Sequence, residues 1–170
     1  MPVVPVVDLP ALVPEGRRLL GLDVGTKTIG LAVADPSRII ASPLETIVRT
    51  RLGRDLDRLM AITEALAVGG FVIGLPVSMD GREGPRCQAV RQFGRDLLKR
   101  TDAPVAYWDE RLSTVAVERV LREEADLSRR RRRQLVDKTA ASFILQGALD
   151  RLAFAATQAR TPEDDEPPEP

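Results

Sequence analysis

Two periods of hydrophobic patterning alternate along the chain. LLGLDVG (residues 19–25) is an apolar run closed by glycine, and TIGLAVADP (28–36) follows closely, so the two predict the arms of an antiparallel hairpin. SPLETIVR predicts a third short strand. It ends where DLDRLMAITEALAV begins a helix, its apolar residues recurring at helical spacing. GGFVIGLP reads as a buried strand with glycine at both ends, and the loop SMDGREG leads to a helix that Pro85 starts. Val90, Phe93, Leu97 and Leu98 form the inward face of that helix. PVAYWDE predicts a fifth strand, and Ser113 is placed to cap a helix over TVAVERVLREE. An arginine-rich connection then leads to a long helix over about residues 134 to 156.

This order, β-β-β-α-β-α-β-α-α, predicts an α/β fold with a mixed five-stranded sheet flanked by helices. In such sheets reactive groups gather at the carboxyl edge, and Asp23, Pro76 and Glu110 all fall at or near strand ends. The proline-rich start and the acidic, proline-rich end read as disordered extensions over residues 1–15 and 160–170. Between them, 16–159 reads as one domain.

Composition narrows the chemistry. The net charge of +0 hides an asymmetry, because seven of the 25 acids lie in residues 1–16 and 162–170, where no Lys or Arg stands. Residues 17–160 therefore carry 25 basic side chains against 18 acids, enough for a face that binds phosphate. The chain has no histidine, which excludes Ser-His-Asp and Cys-His nucleophile systems, imidazole-pair ribonuclease chemistry and His-ligated zinc. A single cysteine, Cys87, forms no internal disulfide and reads as a structural thiol in a reducing compartment. No stretch approaches the roughly 20 apolar residues of a membrane span, and the start does not read as a leader, so a cytoplasmic protein is expected.

Asp23 stands inside an apolar strand, where an ionised carboxylate is costly unless a cation or hydrogen bonds compensate. Its bland alternative is to brace the Gly25-Thr26 turn. Asp109 and Glu110 end another strand, and alternation sends their side chains to opposite faces, so one of them reaches the Asp23 site. The other reading for this pair is a cap on the following helix. Asp137 lies near the start of the last helix, where the helix dipole favours a carboxylate in any protein, and Lys138 beside it reads equally as a solvated charge. Together, a strand Asp, a strand-end Glu and a helix-start Asp are the oxygen ligands that Mg²⁺ or Mn²⁺ prefers. Three carboxylates suit two ions about 3.5–4 Å apart, one activating water and one stabilising a leaving oxygen.

The segments LGLDVGTKTIGLAVAD, FVIGLPVSMDGREG, DERLST and VDKTAASFILQGALD, in this order, resemble the YqgF family, also called RuvX. These are ribonuclease H-like relatives of the RuvC Holliday junction resolvases. The resemblance implies Asp23, Glu110 and Asp137 as an acidic triad. It also implies that Thr26, Lys27, Arg111, Ser113 and Thr114 flank the site, in reach of phosphates. Arg82 and Arg86, in and just after the MDGREG loop, are further candidates for phosphate contact. Arg129, Arg130, Arg131, Arg132 and Arg133 form the most basic patch and read as a mobile clamp on the nucleic-acid backbone.

The resemblance thus implies a nuclease for structured nucleic acid, acting on branched DNA, on precursor 16S rRNA at its 5′ end, or on both. GLDVGTKTIG also resembles the first phosphate loop of actin-like ATPases and sugar kinases, which need two such domains where this chain has length for one. A binding module that keeps the fold without cleavage is the other rival. With one Tyr and one Trp, Tyr107 and Trp108, the chain offers little stacking surface, which favours recognition of backbone and shape. Junction resolution needs two coupled cuts, so a weak homodimer is expected on branched DNA. Its expected surface is either Leu112, Val115, Ala116 and Val120 or the side of the last helix with Phe143 and Phe154, residues that also read as ordinary core.

Overall fold

The computed structural model describes residues 3–112 and 129–159, with side chains of the last helix described from residue 140 onward. Five strands form one sheet in the order β3-β2-β1-β4-β5. β1 (Arg18–Val24) pairs antiparallel with β2 (Thr28–Ala34), and β2 pairs antiparallel with β3 (Ala41–Val48). On its other side β1 runs parallel to β4 (Val68–Leu75), which runs parallel to β5 (Val105–Asp109). Helix α1 (Leu9–Leu12) precedes the sheet, α2 (Leu52–Ala65) and α3 (Pro85–Leu98) are interspersed, and α4 (Arg129–Ala159) closes the described chain.

Alternation in the strands sorts the core into two clusters. Leu20, Leu22, Ile73 and Leu75 pack with Leu56, Leu59, Val90, Phe93 and Leu97 of α2 and α3. Leu19, Val72 and Ala106 face the other way, onto Ala141, Ile144, Leu145 and Ala148 of α4. Each such fully buried leucine stabilises the fold by about 1.5–3 kcal/mol relative to exposure. The α4 side includes Gly21, where a Cβ would lie only 2.7 Å from Cβ of Leu145, so glycine lets the helix rest directly on β1. By the period of two, Asp23 shares that face.

The N-terminal segment departs from the expected disorder of residues 1–15. From residue 3 it is packed: Val6, Leu9 and Val13 are buried in the α4-side cluster, and the Val4 N–H donates to the Val105 carbonyl at 2.9 Å. Their spacing of three and four lines one face of a 3₁₀ turn (Val6–Asp8) and α1. Pro10 falls in the first turn of α1, where no backbone donor is needed, so proline there is compatible with helix. Arg38, in a left-handed conformation (φ 58°), holds the segment by donating to the carbonyls of Val13 (3.1 Å), Pro14 (2.7 Å) and Arg17 (3.2 Å).

A second departure concerns the arginine run. Arg129 to Arg133 are the first turns of α4 rather than a connection before it, consistent with the good helix propensity of arginine. The predicted Ser113 cap, the helix over 114–124 and the acidic tail lie outside the described residues. No described helix is long and apolar enough to cross a membrane.

Candidate active site

Asp23, next to last in β1, and Glu110, immediately after β5, meet on the α4 side of the sheet, their side chains joined by a hydrogen bond. Both are half-buried. In β5 the residues on this face are Ala106 and Trp108, and Glu110 continues the alternation. Between the two carboxyls runs β4, and Gly74 provides their space. A Cβ at residue 74 would lie 2.7 Å from Oε1 and 3.1 Å from Cγ of Glu110, and would also collide with Cδ1 of Ile144.

Burial pushes the Glu110 carboxyl above its usual range, against the opposing effects of the Asp23 hydrogen bond and the Arg86 charge; Asp109 adds to the rise. A hydrogen bond between two carboxyls requires one of them to carry a proton. Ionisation of both therefore calls for a cation in the proton's place, and a purely oxygen donor set suits Mg²⁺ or Mn²⁺. The residues present fit such an ion.

Asp109 is turned to other work. Its carboxylate receives Nε and Nη2 of Arg111 at 2.9 and 2.6 Å and the Arg111 backbone N–H at 3.0 Å. The hydrogen bond from Arg111 holds its pKa below the ordinary value. Of the strand-end pair, then, Glu110 reaches Asp23 and Asp109 braces the 3₁₀ turn Glu110–Leu112.

Thr26 and Lys27 are exposed on the β1-β2 turn that follows Asp23. Arg86, at the start of α3, donates to the Val24 carbonyl at 2.9 Å, which places it beside the carboxyl pair whose charge it feels. Arg82 stands 87% exposed, 3.5 Å from Asp80, in a tight loop that Gly81 closes with φ 85°. Ser113 and Thr114 lie outside the described residues. For Asp137, Lys138 and Arg129 to Arg133 the backbone alone is described, and the expected contacts of their side chains lie outside it.

The course of α4 shows where residue 137 falls. Gln146 binds Ala41 and Ile39 at the far end of the hairpin, and Ala141 and Leu145 cover Gly21. Following the helix from 146 back through 141 thus leads toward the Asp23 end of β1, and residue 137 lies one further turn along, about 6 Å. Among the described residues no group of three metal-binding side chains occurs; Asp23 and Glu110 are the two that meet.

Two residues that pattern analysis missed support the site. Arg49, just beyond β3, donates to the Gly25 carbonyl at 2.7 Å. Asp55 of α2 is buried, 3% exposed, and stands 3.8 Å from Nε of Arg49. An acid among the apolar positions of an amphipathic helix was the signal available for Asp55; nothing local marked Arg49.

A family model described as "RuvX: Holliday junction resolvase" matches residues 17–151. The chain belongs to the RuvX family. Similar relatives include a "Putative pre-16S rRNA nuclease" of Paramagnetospirillum magneticum, 56% identical over 91% of this chain and 100% of that protein. Another of the same description, from Rhodobacter capsulatus, is 58% identical over 86% of this chain and 91% of its own length. Among solved structures, the RuvC of T. thermophilus in complex with a Holliday junction substrate superposes with a TM-score of 0.51 at 15% identity, covering 80% of this chain and 96% of that one. The likeness establishes that this RuvX chain has the RuvC-like, ribonuclease H-like fold.

Proposed function

We propose that this chain is a metal-dependent endonuclease that hydrolyses phosphodiester bonds of structured nucleic acid, with the 5′ end of precursor 16S rRNA as its substrate. The observation that carries the reading is the meeting of Asp23 and Glu110 on one sheet face, where the lack of a side chain at Gly74 leaves room for the Glu110 carboxyl. The substrate follows from the description shared by relatives more than half identical to the chain.

Asp23 and Glu110 would hold Mg²⁺ or Mn²⁺, with Asp137 of α4 as the third carboxylate. When bound, a pair of such ions supplies an activated water and neutralises charge on the leaving oxygen. The chain's own part is to fix these carboxylates at strand ends and to orient the phosphates. Arg86 stands beside the pair; Lys27 and Arg111 would join it in holding backbone phosphate, and Thr26, Arg82, Ser113, Thr114, Lys138 and Arg129 to Arg133 would extend that contact. A cytoplasmic location belongs to the same reading.

The description of the family favours a second substrate, the four-way DNA junction, cut by a homodimer. A side-by-side cleavage assay of precursor rRNA, duplex DNA and four-way junction, with Mn²⁺ and with chelator, separates them. Metal-dependent cutting of the rRNA end by a monomer supports the first substrate. Paired symmetric nicks with dimerisation on the junction would replace it with the second, and binding without cutting would leave a binding module.

A further inference from the structure

The turn that follows Asp23 is clamped at two successive carbonyls. Arg86 donates to that of Val24 and Arg49 to that of Gly25. Arg49 is itself held on several sides. Its backbone N–H donates to the Lys27 carbonyl at 2.9 Å, its guanidinium lies 5.7 Å from the centre of the Phe93 ring, and its Nε faces Oδ2 of Asp55 at 3.8 Å. Asp55 is the single buried charged residue among the described residues. Its Oδ1 accepts from the N–H and hydroxyl of Thr50 at 3.1 and 3.2 Å, but Oδ2 has no hydrogen bond. Burial of this carboxylate is offset by the two Thr50 hydrogen bonds and by the Arg49 guanidinium, the cation nearest its second oxygen. Phe93, Leu56 and Leu59 place this network on the α2 and α3 side of the sheet, whereas Asp23 faces α4.

We propose that Arg49, anchored by Asp55, is a positioning residue for the carboxylate site: it fixes the Gly25 carbonyl and so the turn that directly follows Asp23 and carries Thr26 and Lys27. The inference rests on the nuclease reading for its consequence, not for its geometry. Two half-buried carboxylates repel each other when ionised, and a loosened turn would let the last residues of β1 fray, so that Asp23 could retreat from Glu110. The guanidinium fork spans both Gly25 and Asp55, which a lysine ammonium on a single stem does not.

The test compares the full-length wild type with Arg49→Lys, Asp55→Asn and the double variant; Arg58→Gln, an exposed partner of Glu45 on α2, is the control. The first readout is cleavage kinetics; the second is Mn²⁺ affinity, followed through quenching of Trp108, the only tryptophan, two residues before Glu110. For Arg49→Lys we expect kcat to fall and the Mn²⁺ dissociation constant to rise, each about tenfold, with KM for nucleic acid within twofold. The double variant should be no worse than Arg49→Lys alone, because the two residues act as one relay. A raised KM with unchanged kcat would make Arg49 a phosphate contact and overturn the proposal. So would a lowered Tm with unchanged kcat and Mn²⁺ affinity. A wild type that binds Mn²⁺ yet cuts nothing would count against the nuclease reading, and the Mn²⁺ comparison would still decide the positioning role.

Discussion

Gly74→Ala adds one methyl group where the structure gives it no room, and its consequences can be worked out atom by atom. The new carbon would lie 2.7 Å from Oε1 of Glu110, well inside the normal contact distance, and would collide with Ile144. Ile144 presents the far end of a flexible side chain and yields at low cost. Relief at Glu110 requires its carboxylate to move by roughly half an ångström or more, away from Asp23. Overpacking of this kind costs about 1–3 kcal/mol, or roughly 2–12 °C in Tm for a chain of this size. Displacing a ligand carboxylate by that distance should lower kcat by about 10- to 100-fold. Gly94→Ala is the matched control. Its methyl would collide with the Tyr107 hydroxyl, on the α3 side of the sheet, so it should lose as much stability while kcat stays within about threefold. Single-turnover cleavage across a Mn²⁺ series, with thermal melts of both variants, reads the two quantities separately. Full activity of Gly74→Ala at wild-type Mn²⁺ demand, despite lowered stability, would refute the placement of Glu110 in the site.

Three further outcomes follow from the charges. In chelator, the raised pKa of Glu110 means that this group binds more proton in the folded chain than in the unfolded one above the ordinary value of 4.5, so its contribution to stability falls as pH rises through that range. Glu110→Gln should flatten that fall and be the more stable chain at neutral pH; urea titrations at several pH values check it, and a wild type that gains stability at least as steeply as the variant would contradict it. Asp109→Asn should retain much more activity than Glu110→Gln, because Asp109 braces Arg111; equal losses in a cleavage assay would undo that distinction. Replacing Arg129 to Arg133 with glutamine should weaken nucleic-acid binding and flatten its salt dependence while sparing Tm, and an unchanged slope would return these arginines to a solvated helix end.

Strand alternation, a local rule, made it legible that one of Asp109 and Glu110 shares the face of Asp23, whereas the choice of Glu110 came from the family resemblance. Leu19, Gly21 and Asp23 share one parity, as do Ala106, Trp108 and Glu110, and both series face α4. The N-terminal segment was misread because its prolines outweighed its apolar residues, of which Val6, Leu9 and Val13 are buried, too short a run to establish a helical period. Their partners on α4 lie far along the chain. The arginine run was misread because charge density does not report backbone state. Arg49 and Asp55 were invisible for a different reason. Their role arises from contacts with Gly25 and Phe93, and no spacing in the sequence encodes proximity between residues so far apart. Gly74 carried a glycine's ordinary ambiguity until the Glu110 carboxyl was seen beneath it.

The proposed chemistry depends above all on Asp23 as a metal-holding carboxylate. Asp23→Asn keeps the side-chain volume and removes the charge, so the fold should persist, with Tm equal to or above that of the wild type in chelator. The decisive measurement is single-turnover cleavage of precursor rRNA and of a four-way junction by this variant, in Mg²⁺ and in Mn²⁺. The folded variant should cut neither substrate, beside metal-dependent cutting by the wild type. Wild-type turnover by Asp23→Asn in Mg²⁺ would contradict that role for Asp23.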